Sequence, residues 1–344
     1  MRSSRAICAA IALLPSLSVF AGTDEPQGPT PEELQRLRTQ YAEVVRRFRQ
    51  MKPSVEFSAE FGERDVVVAP ANGGRSEELM VSKVSPISGC VMIVDRGTHR
   101  LRNVQDAGLG DRLHSRYQTM TAEERKQGLP RKLMHHRYYS KQLTPAEAAA
   151  RAREYLATFG FPIPKGFELH QVDFGTRSFG MWHIEWHPVI AGYELDRFNE
   201  SWVPQIVVEF DETEGLISAG WADMPPIPAN MTVKVTREEA MLKASRVAPL
   251  VFETPYYKRS RFGGFVVASI FECDLRIAPP NYLLDPARAV WGRRSPPKET
   301  RLCWVVRLRT KPGSAELEAQ ALIPPDIVIY IDALSGETVG ANFS

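Results

Sequence analysis

One twelve-residue pattern occurs twice in this chain, as Pro204–Gly215 (PQIVVEFDETEG) and as Pro325–Gly336 (PDIVIYIDALSG). Ile206 to Ile327 and Gly215 to Gly336 are both 121 positions apart, so the copies align without a gap. Each is an apolar, β-branched run followed by Asp, three residues and Gly. Such a run favours a strand, Asp can hydrogen-bond a turn backbone, and Gly accepts the positive φ that a side chain resists. The turn motifs are therefore Asp211 with Gly215 and Asp332 with Gly336. The chain reads as a duplication of the α+β class: tandem modules, each a helix packed on an antiparallel β-sheet.

The helix of each module announces itself by a capping box. Thr144-Pro145-Ala146-Glu147 opens one and Thr236-Arg237-Glu238-Glu239 the other, with Thr as cap and Glu three residues on. These starts lie 92 positions apart, against 121 for the closing strands, which leaves 29 residues of insertion in the second module. Residues 273–300, with Pro279-Pro280, Asp285-Pro286 and Pro296-Pro297, are read as that insertion. Trp182 and Trp304 are 122 apart and keep the same order. The modules span 143–221 and 235–344, and Pro225, Pro226 and Pro228 mark the linker between them. Residues 30–142 form an N-terminal region. Its helix opens at Thr30-Pro31-Glu32-Glu33, buries Leu34, Leu37, Tyr41, Val44, Val45 and Phe48 on one face, and ends before Pro53. The strand Val91–Asp95 follows, with His99 standing where the other copies have the turn Gly. This region is read as a degenerate module plus a polar connector.

Residues 1–21 read as a signal peptide: Arg2 and Arg5 precede an apolar stretch, and Val19-Phe20-Ala21 offers a cleavage pattern. The expectation is export to the periplasm or the extracellular space, with no membrane span after removal. The chain carries 43 basic and 41 acidic residues, and losing Arg2 and Arg5 leaves 41 of each. A neutral chain lacks the electrostatic footprint of a nucleic-acid binder. Of four cysteines, Cys90, Cys273 and Cys303 lie beyond the signal. In an oxidising compartment Cys273 and Cys303 are the expected disulfide, worth about 3–4 kcal/mol on a chain-entropy model. Two buried thiols are the alternative, and Cys90 reads as a small buried apolar residue.

A Thr-x-x-Glu-Ala helix start, a Trp-centred strand and a strand ending Asp-x-x-x-Gly together resemble the PepSY domain family. Here the residues are Thr144, Glu147, Ala148, Trp182, Asp211 and Gly215, then Thr236, Glu239, Ala240, Trp304, Asp332 and Gly336. The resemblance implies exported α+β modules of the kind found in propeptides of secreted metallopeptidases and in free-standing proteins, with inhibitory or protein-binding roles. No His-Glu-x-x-His peptidase helix occurs in this sequence, so a propeptide role in cis is not expected.

The residues richest in chemistry are Trp182-His183-Ile184-Glu185-Trp186-His187. Strand alternation puts His183, Glu185 and His187 on one face, a candidate site for a divalent metal such as zinc. Same-face neighbours stand about 7 Å apart, so one ion needs a ligand from elsewhere, with His170 a candidate. An apolar face on the core and a polar face in water is the alternative. Phosphate loops, a nucleophile elbow and Cys-x-x-Cys pairs are lacking. The sequence thus reads as a non-enzyme without a cofactor, binding a protein or peptide partner, such as a secreted peptidase. The expected contact loop holds Tyr282, Trp291 and Arg293, because exposed aromatic and Arg side chains dominate binding energy. A metal-binding periplasmic protein is the second reading and an unrecognised hydrolase the third.

Overall fold

The computed structural model describes residues 28–70, 77–84, 89–109, 142–174, 181–196, 204–212, 214–254, 264–285, 299–315, 318 and 324–343. The proposed signal peptide, most of the polar connector, Trp291 and Arg293 lie outside them. Among the described residues one order recurs three times: a helix, then an antiparallel meander. Unit one is α1 (Pro31–Met51) with β1 (Val66–Pro70), β2 (Glu77–Val84), β3 (Gly89–Asp95) and β4 (Leu101–Asp106). Unit two is α2 (Pro145–Thr158) with β5 (Phe167–Phe174), β6 (Trp182–Ile190), β8 (Ile206–Asp211) and β9 (Gly215–Gly220). A short arm, β7 (Tyr193–Glu194), folds back on the end of β6. Unit three is α3 (Arg237–Glu253) with β10 (Phe265–Ala278), β11 (Arg301–Pro312), β12 (Ile327–Asp332) and β13 (Thr338–Phe343).

Local chemistry fixes both ends of each unit. Thr30, Thr144 and Thr236 cap their helices, each receiving a backbone N–H from the Glu three residues on, whose carboxylate reaches back to the cap N–H. Each cap contributes about 1 kcal/mol. At the closing turns, Oδ1 of Asp95, Asp211 and Asp332 accepts from the N–H of Thr98 (2.7 Å), Glu214 (2.6 Å) and Ser335 (2.8 Å). The residues that follow take left-handed φ: 56° at His99, 77° at Gly215 and 71° at Gly336. Just past each turn the ladder slips at a matching place, between Ile93 and Val94, Glu209 and Phe210, and Tyr330 and Ile331. These shared bulges make Val104, Ala219 and Ala341 equivalent; they face Met92, Val208 and Ile329.

Units one and two merge. Their last strands pair antiparallel, with Asn103 opposite Gly220, Val104 opposite Ala219 and Gln105 opposite Ser218. Equivalent residues face each other at the centre, so the two units are related by an approximate two-fold axis. The result is one sheet in the order β1-β2-β3-β4-β9-β8-β6-β5. α1 and α2 bury one core that takes Leu37, Phe48 and Val104 from unit one and Leu156, Trp182 and Phe210 from unit two. Unit three keeps its own sheet, β10-β11-β12-β13, and its own core between α3 and Val306, Ile329 and Ile331. Residues 273–278, read from sequence as the start of an excursion, instead continue β10.

The expected disulfide does not form. Cys273 pairs across the ladder with Val306, so these two share a face. Cys303 lies three positions before Val306 and therefore on the other face. Cys273 packs with the α3 core, whereas Cys303 packs with Val305, Tyr330 and Val339. Both are free and buried, as is Cys90 in the core of the merged sheet. Burial pushes the Cys273 thiol up to about 11, which makes it inert at neutral pH.

Candidate functional site

β6 is the middle of unit two, and its alternation sorts the side chains as the pleat demands. Trp182, Ile184 and Trp186 point into the helix-covered core at 0–1% exposure. His183, Glu185 and His187 point the other way, yet they too are buried, at 8%, 4% and 6%. The open, water-facing side expected from alternation is therefore not what the fold presents. Neighbouring strands explain why such polar groups tolerate burial. The ladder sets Asp173 of β5 and Glu209 of β8 on either side of His183, and Ser218 of β9 beyond Glu209.

The histidines and carboxylates form a hydrogen-bonded row. His183 Nδ1 meets Glu209 Oε1 at 3.1 Å, and His183 Nε2 meets Glu185 Oε1 at 2.5 Å. His187 Nε2 meets Glu185 Oε2 at 3.1 Å, and Ser218 Oγ donates to Glu209 Oε2 at 3.1 Å. The ring of His170 stacks on that of His187, centroids 4.3 Å apart. Burial by itself would lower the His183 pKa, but hydrogen bonds to Glu185 and Glu209 outweigh it and raise it to about 9. Burial alone would raise Glu185, and its bonds to His183 and His187 outweigh that, holding it well below the usual carboxylate range. His183 is thus an imidazolium bridging two carboxylates at neutral pH. Nε2 of both imidazoles is directed at Glu185. Among the described residues no three His, Cys, Asp or Glu side chains are placed to hold a metal ion.

The other sequence candidates are dispersed. Asp211, Gly215, Asp332 and Gly336 build the turns, and Arg301 Nη1 also reaches Asp332 Oδ2 at 3.2 Å. Tyr282 is half-buried, with φ 48°, its hydroxyl 3.1 Å from Glu299 Oε1 and the Arg301 guanidinium 6.0 Å over its ring. A more open patch lies on the first half of β10. Val266 and Phe271 are each 42% exposed, and the Arg309 guanidinium sits 5.0 Å over the Phe271 ring. Sequence reading missed Glu209 and Ser218, because only the strand pairing brings them to His183. It missed Asp196 as well, a 1%-exposed carboxylate that accepts from Arg307 Nη2 and Tyr330 Oη, both at 2.8 Å. No local pattern marks that residue.

No helix among the described residues is long and apolar enough to cross a membrane. No family model matches the chain, and no curated protein matches it. Among solved structures it is similar to the Bacillus megaterium YpeB C-terminal domain, at 11% identity and a TM-score of 0.36, over 92% of this chain and 99% of that one. At that score the likeness supports neither a shared function nor a shared site.

Proposed function

We propose that this chain is an exported, non-catalytic protein that binds an extended segment of a protein partner alongside β10, with secreted peptidases the partner class and inhibition the outcome. The observation that carries this reading is the edge of β10. Its far end already takes an extended piece of this chain: Leu195 bridges Ile277 in parallel, and Asp196 N–H donates to Ile277 O at 2.8 Å. Its first half is flanked among the described residues by β11 alone and carries the exposed Val266 and Phe271. An edge strand binds extended peptide through its backbone and selects it through neighbouring side chains. Bulges between Val267 and Ser269 and between Ile270 and Glu272 limit indiscriminate pairing, so side chains carry more of the selection. The choice of peptidases rests on the PepSY-like residues of both modules, and a non-catalytic role is consistent with a histidine row whose groups are engaged with one another.

The test is titration of the mature chain and its Val266→Asp/Phe271→Asp variant against a secreted zinc metallopeptidase, reading direct binding and peptide hydrolysis. The wild type is expected to bind and slow hydrolysis, and the variant to bind at least tenfold more weakly. Equal behaviour of both proteins overturns the assignment to β10. Zinc co-purifying in one-to-one ratio with the wild type, and lost in His183→Gln/His187→Gln, would make the row a metal site and displace the recognition reading.

A further inference from the structure

Units one and two are fused through the edges of their last strands, and unit three has the same strand, β13. At the existing seam the ladder is centred on Val104 opposite Ala219 and extended by Trp221 N–H donating to Arg102 O at 2.8 Å. The corresponding groups of β13 are the backbone of Ala341 and the carbonyl of Val339, two residues earlier. Both are taken by the chain itself, at residues 281 and 282 just after β10. Val339 O accepts from the N–H of Asn281 (3.1 Å) and Tyr282 (2.9 Å), standing in for Trp221. The Asn281 side-chain amide stands in for the missing strand: Nδ2 donates to Ala341 O at 2.7 Å and Oδ1 accepts from Ala341 N at 3.0 Å. Glycine at 340 makes room for it, since a Cβ there would lie 2.7 Å from Asn281 Oδ1. Tyr282 is held left-handed at φ 48° as the chain turns away.

We infer that the outer edge of β13 is a pairing site for β13 of a second copy of this chain, and that Asn281 holds it closed. The occupant follows from the seam already present: the same two-fold operation sets Ala341 against the partner subunit's Ala341. This central pair is smaller than Val104 with Ala219, so the backbones can approach at least as closely. Two copies would then join four-stranded sheets edge to edge, as units one and two are joined within the chain. Covering such an edge with a loop is a recognised way to keep a sheet from associating.

Analytical ultracentrifugation of the full mature chain, with amide exchange at residues 340–342, tests this. Asn281→Ala is expected to form a dimer at least tenfold tighter than the wild type, with the Ala341 amide protected in the dimer. Adding Ala341→Pro removes the outward donor and is expected to return the monomer. Asn281→Asp keeps the acceptor for Ala341 N–H and sets a carboxylate against Ala341 O, so it serves if the alanine variant does not fold. A natively melting Asn281 variant with wild-type mass at all concentrations overturns the inference. So does a dimer that persists with proline at 341.

Discussion

The two seams of this molecule are built from different materials. Between units one and two the seam is a continuous ladder over a single core, closed by an ion pair buried in the interior. Lys52, one residue past α1, donates from Nζ to Asp106 Oδ2 and to Leu216 O, both at 2.6 Å, with the two side chains 3% and 0% exposed. Between units two and three the seam is the tip of the β6–β7 hairpin, whose turn residues Ala191 and Gly192 are both left-handed (52° and 84°). That tip carries Leu195 against Ile277 and Leu302, and Asp196 onto Arg307 and Tyr330. Trp182 faces Phe210 as Trp304 faces Ile331, so Glu185 matches Arg307 and Glu209 matches Tyr330. In unit two this pair of positions is satisfied from within, by His183. In unit three it is satisfied from outside, by Asp196. Unit three thus draws a partner for its polar face from unit two, whereas among the described residues the row of unit two is built from its own strands.

The largest test of that asymmetry is at the first seam. Lys52→Met leaves the Asp106 carboxylate buried without this cation and is expected to cost about 3–5 kcal/mol. Units one and two should lose stability together in urea, because they share one core. Lys52→Met/Asp106→Leu should recover most of the loss. A single variant within about 1 kcal/mol of wild type would show that the ladder alone holds the seam.

The row inside unit two gives a pH signature that a single substitution isolates. His183 is raised from 6.5 to about 9, so its stabilisation is complete below about pH 6.5 and is lost as the pH rises through 9. Glu185 is lowered from 4.5, so its share is present above that value and fades only as the pH falls below it. The stability advantage of the wild type over His183→Gln should shrink by roughly 3 kcal/mol between pH 6.5 and 10, the loss from buried thiols that ionise only on unfolding being common to both proteins. Equal slopes for both proteins would mean that His183 is not the bridging cation.

How far the sequence carries depends on how far apart the partners lie in it. The capping boxes span three residues and the turn aspartates two or three, so residue identity and spacing suffice to read them. Alternation along β6 was equally legible, and it placed both faces correctly. Burial of the polar face was not, because Glu209 and Ser218 arrive from other strands. Lys52 reaches Asp106 across 54 residues and Leu216 across 164, and Asp196 reaches Arg307 across 111. No local signal marks such partners, and the merging of units one and two is hidden for the same reason. The expected disulfide followed compartment and proximity in the chain, and strand parity overruled it.

The second seam should respond more mildly than the first. Asp196→Ala removes two hydrogen bonds, one of them from a charged donor, but Arg307 keeps Glu272 Oε2 at 3.2 Å. A cost of about 2 kcal/mol is expected, confined to unit three. Calorimetry should then split one transition into two. A single transition shifted as a whole would mean that the units are coupled by more than this carboxylate.

The smallest effects belong to the turns, where the three units can be compared residue for residue. Gly336→Ala puts a Cβ at φ 71° and 3.3 Å from Val235 Cγ2, while at Gly215 the nearest atom is the Tyr155 hydroxyl at 3.4 Å. Each should cost about 1–2 kcal/mol, with position 336 the worse. His99 already accepts that backbone conformation, with its Nε2 2.7 Å from Arg36 Nη1 and its carbonyl accepting from Gln40 Nε2 at 2.9 Å. His99→Gly relieves the left-handed cost but loses the Arg36 contact and frees the unfolded chain, so the net change should stay within about 0.5 kcal/mol. A gain well above 1 kcal/mol would mean that the Arg36 contact contributes nothing and that unit one merely tolerates its histidine.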